Sequence, residues 1–289
     1  MDNSGSVKSV SRILRTVDSH WVGDGFPVRT LFFYGEYGAE LSPFLMLDYA
    51  GPREFPPTDA RLGVGAHPHR GFETVTIVYA GEVEHRDSSG GGGHIGPGDV
   101  QWMTAASGLV HEEFHGREYA RRGGMFEMVQ LWVNLPAKDK MAPPRYQAIT
   151  SEQIPVVDLP DDAGTARVIA GELDGNKGPA MTFSPVHVRD LRLSSERQFN
   201  IAVPEGYTTA LVVLRGTLVL SEAHSLGAAE VGLFERQGNV IKIDKADEVT
   251  ALLLCGEPIN EPIAGHGPFV MNTPEEIRQA IVDYQSGRL

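Results

Sequence analysis

Two short patterns in this chain place good metal-binding side chains two residues apart: His67-Pro68-His69 and His111-Glu112-Glu113. In extended backbone, residues i and i+2 point to the same face, so each pair can aim both of its heads at one point. Three imidazoles and one carboxylate form a donor set that binds first-row transition metals well. About forty residues separate the pairs, enough for two or three strands to leave and return alongside. A lone His-x-His arises by chance in many chains, and a core histidine needs only one partner. Two such pairs, flanked by Gly63, Gly65 and Gly108, point instead to a shared cation held by His67, His69, His111 and Glu113.

The elements that must position these pairs read as strands. Thr74-Val75-Thr76-Ile77-Val78-Tyr79, Met128-Val129-Gln130-Leu131-Trp132-Val133 and Ala210-Leu211-Val212-Val213-Leu214 are rich in β-branched and aromatic residues, and turn formers bound each run. Pro97-Gly98-Asp99 predicts a type II turn, with proline fixing φ and glycine supplying positive φ. Thirty-three glycines, 19 prolines and short apolar runs favour an all-β chain of sandwiches or barrels over long helices. One helix is expected near the C-terminus. Thr273 is its N-cap candidate, Pro274 fills the first helical position, Glu275 and Glu276 complement the dipole, and Ile277, Ile281 and Tyr284 share a face.

At 289 residues the chain has the length of about two domains. The polar segment 136–145 reads as a connector and the stretch 155–178 as an elaborated loop. The expected organisation is a metal-binding barrel over 1–140, a metal-free barrel over 141–262, and a helical tail over 263–289 that packs across both.

The halves echo one another. At an offset of 135, Gly71, Phe72, Thr74 and Gly81 overlie Gly206, Tyr207, Thr209 and Gly216; at an offset of 140, Gly98-Asp99-Val100 overlies Gly238-Asn239-Val240. The same offsets put Ala202 and Pro204 opposite His67 and His69, and Ala251 and Leu253 opposite His111 and Glu113. None of the four is a metal ligand, so only the first barrel is expected to hold an ion.

A net charge of −13 argues against direct nucleic-acid binding, which rests on lysine and arginine neutralising phosphates. No run approaches the ~20 apolar residues of a membrane span. Residues 1–20 lack the apolar core of a secretory signal. The single cysteine, Cys255, sits in an apolar run and reads as a buried small hydrophobe. A cytoplasmic monomer is the expected state.

Three blocks, Gly65 to Val75, Pro97 to Ala105 and Gly108 to Glu113, together with Phe126 to Pro136 and Phe269 to Ile277, resemble the pirin family of the cupin superfamily. The likeness covers most of the chain, is densest between 63 and 136, and is loose over 150–265. It implies two tandem cupin (jelly-roll) barrels, with one iron held in the first through His67, His69, His111 and Glu113. Glu73 competes for the carboxylate role, because the general cupin pattern puts a glutamate four residues after its second histidine; Glu113 is preferred. Fe(II) is the expected metal, although Ni, Mn, Co, Cu and Zn accept the same ligands.

Some pirins resemble quercetin 2,3-dioxygenases, which open a flavonol ring with O2 and release carbon monoxide. That analogy implies a flavonol-like substrate, O2 as co-substrate, and Glu113 as a base toward the substrate hydroxyl, a role that needs it loosely held. Animal pirins look like nuclear cofactors, so a regulatory protein partner without turnover is the second implied reading, and a sugar-type cupin isomerase the third. Arg70, Glu73 and Gln101 are candidates to orient the imidazoles. Trp102, Trp132 and Phe72 are expected to fill the barrel. His85, His94, His115, His187, His224 and His266 read as surface or loop residues, with His115 alone near enough to intrude. Two features depart from the pattern: Glu112 beside Glu113, and the glycine-rich loop Ser88 to Gly93.

Overall fold

The computed structural model describes residues 5–221 and 223–289; the first four residues of the N-terminal segment lie outside it. Strands dominate, and the chain forms two compact units. One comprises 18–39, 44–151 and 259–289, the other 1–17, 40–43 and 152–258.

The first unit is a jelly roll of two sheets. Its seven-stranded sheet runs, in spatial order, Arg145–Ile149, Val100–Thr104, Phe72–Ala80, Gly124–Asn134, Phe44–Phe55, Phe26–Phe33 and His20–Val22; its four-stranded sheet runs Gly63–His69, Leu109–His115, Val83–Asp87 and Gly92–Ile95. All pairings are antiparallel. Phe26, Val28, Ala50, Phe126 and Met128 form an apolar floor. The predicted type II turn is present: Asp99 N–H bonds Gly96 C=O at 3.0 Å, with Gly98 at φ +90°. The sheet extends past the expected connector, because Arg145–Ile149 pairs with Val100–Thr104.

The second unit is built on Val10–Arg15, Glu230–Phe234, Thr208–Ser221, Lys245–Gly256, Val186–Ser195, Gly164–Ala170 and Val156–Asp158, faced by a two-stranded ribbon of Phe199–Ala202 and Val240–Ile243. Two expectations change here. The stretch 155–178 is not an elaborated loop; its alternating residues pair as strands, Val157 with Ala166 and Ala166 with Leu191. The duplication is real in topology, but the second offset was wrong. Lys245–Gly256 pairs with Thr208–Ser221 and Val186–Ser195, as Gly124–Asn134 pairs with Phe72–Ala80 and Phe44–Phe55. The counterpart of Leu109–His115 is therefore Val240–Ile243, which puts Val240 and Lys242 where His111 and Glu113 stand in the first unit. Neither Val240 nor its facing residue Ala202 is a metal ligand.

The C-terminal helix Pro274–Gln285 carries the expected cap. Thr273 Oγ1 accepts from Glu276 N–H at 3.2 Å, and Glu276 Oε2 accepts from Thr273 N–H at 2.9 Å, a reciprocal capping box. Its buried stripe is Ile277 and Ala280, with Ile281 partly buried beside Phe269 and Met271. Tyr284 is 41% exposed, yet its ring lies 6.4 Å from that of Phe269, so Ile277, Ile281 and Tyr284 share the docked side as expected. No helix among the described residues is long and apolar enough to cross a membrane.

Candidate metal centre

His67 and His69 close the edge strand Gly63–His69. Pro68 between them is tolerated because an edge strand leaves one side of its backbone without a ladder partner. Across the ladder, His67 faces His111 and His69 faces Leu109. Three rings meet there, with centroids 4.1 Å apart for His67 and His111, 4.8 Å for His69 and His111, and 4.9 Å for His67 and His69. The tight turn that follows needs glycine: Gly71 has φ +90°, and a Cβ there would lie 2.0 Å from the Val270 carbonyl.

Ligand atoms of His67, His69 and His111 lie within 4.8 Å of one another. Glu113 joins a second cluster at that distance, with His111 and His85, rather than the first. Between His111 and Glu113 the ladder slips by one residue, so that Glu113 pairs with Val64 while it faces His85 on its other side. Glu113 is 3% exposed, and each oxygen takes an amide, Oε1 from Gln101 and Oε2 from Gln130, both at 3.0 Å. It is therefore held firmly, where a loose carboxylate was expected.

The nitrogen inventory suits a cation. His67 Nδ1 lies 2.8 Å from the Gly65 carbonyl, so Nδ1 carries the hydrogen and Nε2 keeps its lone pair. Both ring nitrogens of His69 and Nε2 of His111 are buried without a hydrogen-bond partner; the Pro268 carbonyl faces the His69 ring without reaching normal hydrogen-bond geometry. Unpaired buried polar atoms are costly, and three in one place call for a ligand. Burial, then the neighbouring imidazoles, hold the pKa values of His69 and His111 well below the ordinary histidine range. Both are neutral near pH 7, the form that coordinates metal.

The large sheet presents a layered face to these rings. Residues directly paired across a sheet share a face, so Thr30, Asp48, Gln130, Thr76 and Gln101 form one polar row. Met46, Trp132, Thr74, Met103 and Tyr146 form the next. Trp132 and Phe72 pack on His69 at 5.4 and 5.2 Å between centroids, as expected, whereas Trp102, fully buried, pairs with Val75 and so lies on the opposite face of the sheet from Thr74 and Thr76. The hydroxyls of Thr74 and Thr76 are buried without partners. Asp48, bonded by Thr30 at 2.6 Å, has its pKa raised by burial.

Of the proposed orienting residues, Gln101 does hold Glu113, while Glu73 and Arg70 do other work. Glu73 accepts from Thr104 at 2.6 Å and belongs to neither cluster, which removes it as a rival ligand. Arg70 bonds the Ser107 carbonyl and Asp283. Glu112 points away to Arg61 at 3.1 Å. His85 is not the surface or loop residue expected: its side chain is fully buried and stacks on Tyr146 at 5.0 Å. The missed signal was its own i, i+2 pattern, His85-Arg86-Asp87, on a short strand beside Leu109–His115. His115 is buried as well, bonded to the Gly25 carbonyl at 2.9 Å and stacked on Phe126 in the apolar floor, so it does not intrude on the three rings.

Comparison with known proteins gives the same picture. The Pirin family model matches residues 25–133, and the Pirin C-terminal cupin domain model matches 188–289. A Pseudomonas aeruginosa protein named as a candidate quercetin 2,3-dioxygenase is 55% identical over 282 residues, 98% of each chain. Human Pirin is 36% identical over 260 residues, 86% of this chain and 83% of that one. The crystal structure of an Acinetobacter baumannii quercetin 2,3-dioxygenase superposes with a TM-score of 0.95 at 52% identity, covering 98% of both chains. The three converging histidines thus sit in the first of two cupin barrels, and the chain belongs to the pirin family.

Proposed function

We propose that this protein is a mononuclear metal enzyme of the oxidoreductase class that opens the ring of a flavonol such as quercetin with O2. The observation that carries the reading is the meeting of His67, His69 and His111 with unclaimed buried nitrogens. The names of the close relatives supply the substrate class.

Fe(II) is the proposed metal, held by the three imidazoles and completed by Glu113, whose oxygens each retain a lone pair beyond the one amide they accept. When bound, such an ion would supply a Lewis-acidic, redox-active centre for the reaction with O2. The residues of the chain do the rest. Trp132, Met46 and Met103 share a row of the sheet with Thr74 on the side of His69, and the buried, unpartnered hydroxyls of Thr74 and Thr76 would serve as hydrogen-bonding groups for substrate oxygens. Glu113 is the base for the substrate hydroxyl. In place of the loosely held base expected, it is fixed in direction by two amides, so the proton must arrive at a lone pair that neither glutamine uses.

Oxygen consumption with quercetin and Fe(II) tests the reading. Uptake with carbon monoxide release, lost in His69→Ala, supports a ring-cleaving dioxygenase. Metal binding without uptake would instead favour a redox-sensing partner protein or an isomerase.

A further inference from the structure

The carboxylate of Asp87 is bound on one side only by donors. Its Oδ1 accepts from Ser89 N–H at 2.9 Å, Ser89 Oγ at 2.6 Å and Gly91 N–H at 2.9 Å, while Oδ2 lies 3.1 Å from His85 Nε2. An ionised carboxylate accepts only, so His85 Nε2 carries a hydrogen. Burial works against ionisation of Asp87, but the bonds from Ser89 and His85 outweigh it and hold the pKa below the usual aspartate value. His85 Nδ1 faces the Gln101 Nε2 donor at 3.2 Å and so serves as an acceptor with a lone pair, and it lies 3.3 Å from His111 Nδ1. Two lone pairs cannot face one another at that distance, so His111 Nδ1 carries the hydrogen. His111 Nε2, buried and without a partner, is left with its lone pair exposed to the cluster.

The same group settles the neighbouring ligand. Gln101 Nε2 donates to Glu113 Oε1 at 3.0 Å, an acceptor only, which fixes the amide with its nitrogen toward Glu113 and His85 and its oxygen toward the Tyr146 O–H at 3.3 Å. The backbone puts these parts in register, because Asp87 faces His111 and His85 faces Glu113 across one strand pair.

We propose that Asp87 and His85 are positioning residues that lock His111 into the Nδ1–H tautomer and so present Nε2 as a metal ligand. The second cluster of His85, His111 and Glu113 is then an orienting network and not a second ion site. The glycine-rich loop, which the sequence left without a role, shapes it: a Cβ on Gly91 would lie 2.3 Å from Asp87 Oδ2, and one on Gly93 would lie 2.7 Å from Tyr146 Oη. The proposal rests on the metal reading above for its purpose, but its geometry belongs to the chain alone.

The informative variant is Asp87→Asn. Ser89 and Gly91 still demand an acceptor at Oδ1, so the new NH2 group must face His85 Nε2. That favours the Nδ1–H form of His85, which displaces the Gln101 N–H from Nδ1 and makes His111 accept through Nδ1 and carry its hydrogen on Nε2. Long-range 15N–1H correlation spectra of the metal-free protein read this directly. Wild type should show His111 protonated at Nδ1, and Asp87→Asn should show it protonated at Nε2 with the rest of the spectrum preserved. Metal affinity by chelator competition should fall by about 10- to 100-fold, with one ion still bound at saturation. His85→Phe, which keeps the stack on Tyr146, should lose a similar factor. The proposal is overturned if His111 carries its hydrogen on Nε2 in wild type, or if Asp87→Asn leaves its tautomer unchanged. It is also overturned if His85→Phe abolishes metal binding as completely as His111→Phe, since His85 would then be a ligand itself. A wild-type protein that shows the expected tautomer yet binds no metal would instead sink the metal reading.

Discussion

Arg70 and Asp283 form an ion pair at 2.8 Å that ties the residue following His69 to the C-terminal helix. The Arg70 side chain is 5% exposed and also donates to the Ser107 carbonyl at 2.6 Å. That contact makes the helix part of the support for the histidine strand, and it gives the pirin-like C-terminal segment a job that its amphipathic pattern alone did not specify.

Arg70→Ala is predicted to lower Tm at pH 7 by about 5 °C, because two charge-assisted hydrogen bonds are lost. Asp283 has its pKa pulled down to about 2, first by Arg70 and then by Gln279 and Arg288. A depressed carboxyl stabilises the fold above its ordinary pKa, and the contribution is lost as pH falls through the folded value. Calorimetry should therefore show the gap between wild type and Arg70→Ala closing between pH 4 and pH 2. A constant gap would count against the pair.

Glu73 behaves with the opposite sign. Burial raises its pKa to about 7, and the bond from Thr104 offsets this only in part. A raised carboxyl favours the fold at low pH and loses that contribution as pH climbs through the folded value. The metal-free protein should lose about 2–3 kcal/mol between pH 5 and pH 8 from this group. Glu73→Gln keeps an acceptor for Thr104 and should flatten the dependence, as measured by urea denaturation at both pH values. Parallel curves would refute it.

Lys140 is a buried amine, its pKa lowered by burial to about 7, that faces three acceptors, Asn134 Oδ1 at 2.6 Å, the Gly71 carbonyl at 2.7 Å and the Val270 carbonyl at 2.8 Å. Lys140→Met leaves three buried acceptors unpaired and should cost about 3 kcal/mol in urea denaturation. A loss below about 1 kcal/mol would show that water replaces the amine.

Much of this was legible in the residues. Alternation through His67 and His69, and again through His111, placed three rings on one face because strand geometry has a period of two. Thr273, Pro274 and Glu276 announced the helix start for equally local reasons. What failed was non-local. The same alternation keeps Glu113 buried on the face of His111; what it does not give is the one-residue slip of the facing strand between Val64 and His67, nor that Glu113 lies across from His85. The second offset of the duplication failed because differing loop lengths let Val240–Ile243, rather than the more apolar Lys245–Gly256, take the place of the His111 strand. His85 was passed over because its partner Asp87 reads as one more acid in a chain with 38 of them. Nothing in residues 1–17 indicated that Val10–Arg15 would pair with Glu230–Phe234.

The most direct test of the account is metal content after anaerobic reconstitution with Fe(II) and removal of excess ion, comparing wild type with His69→Ala. The account predicts about one iron per chain in wild type, none in the second barrel, and essentially none in the variant. Equal iron in both proteins, or none in either, would contradict it.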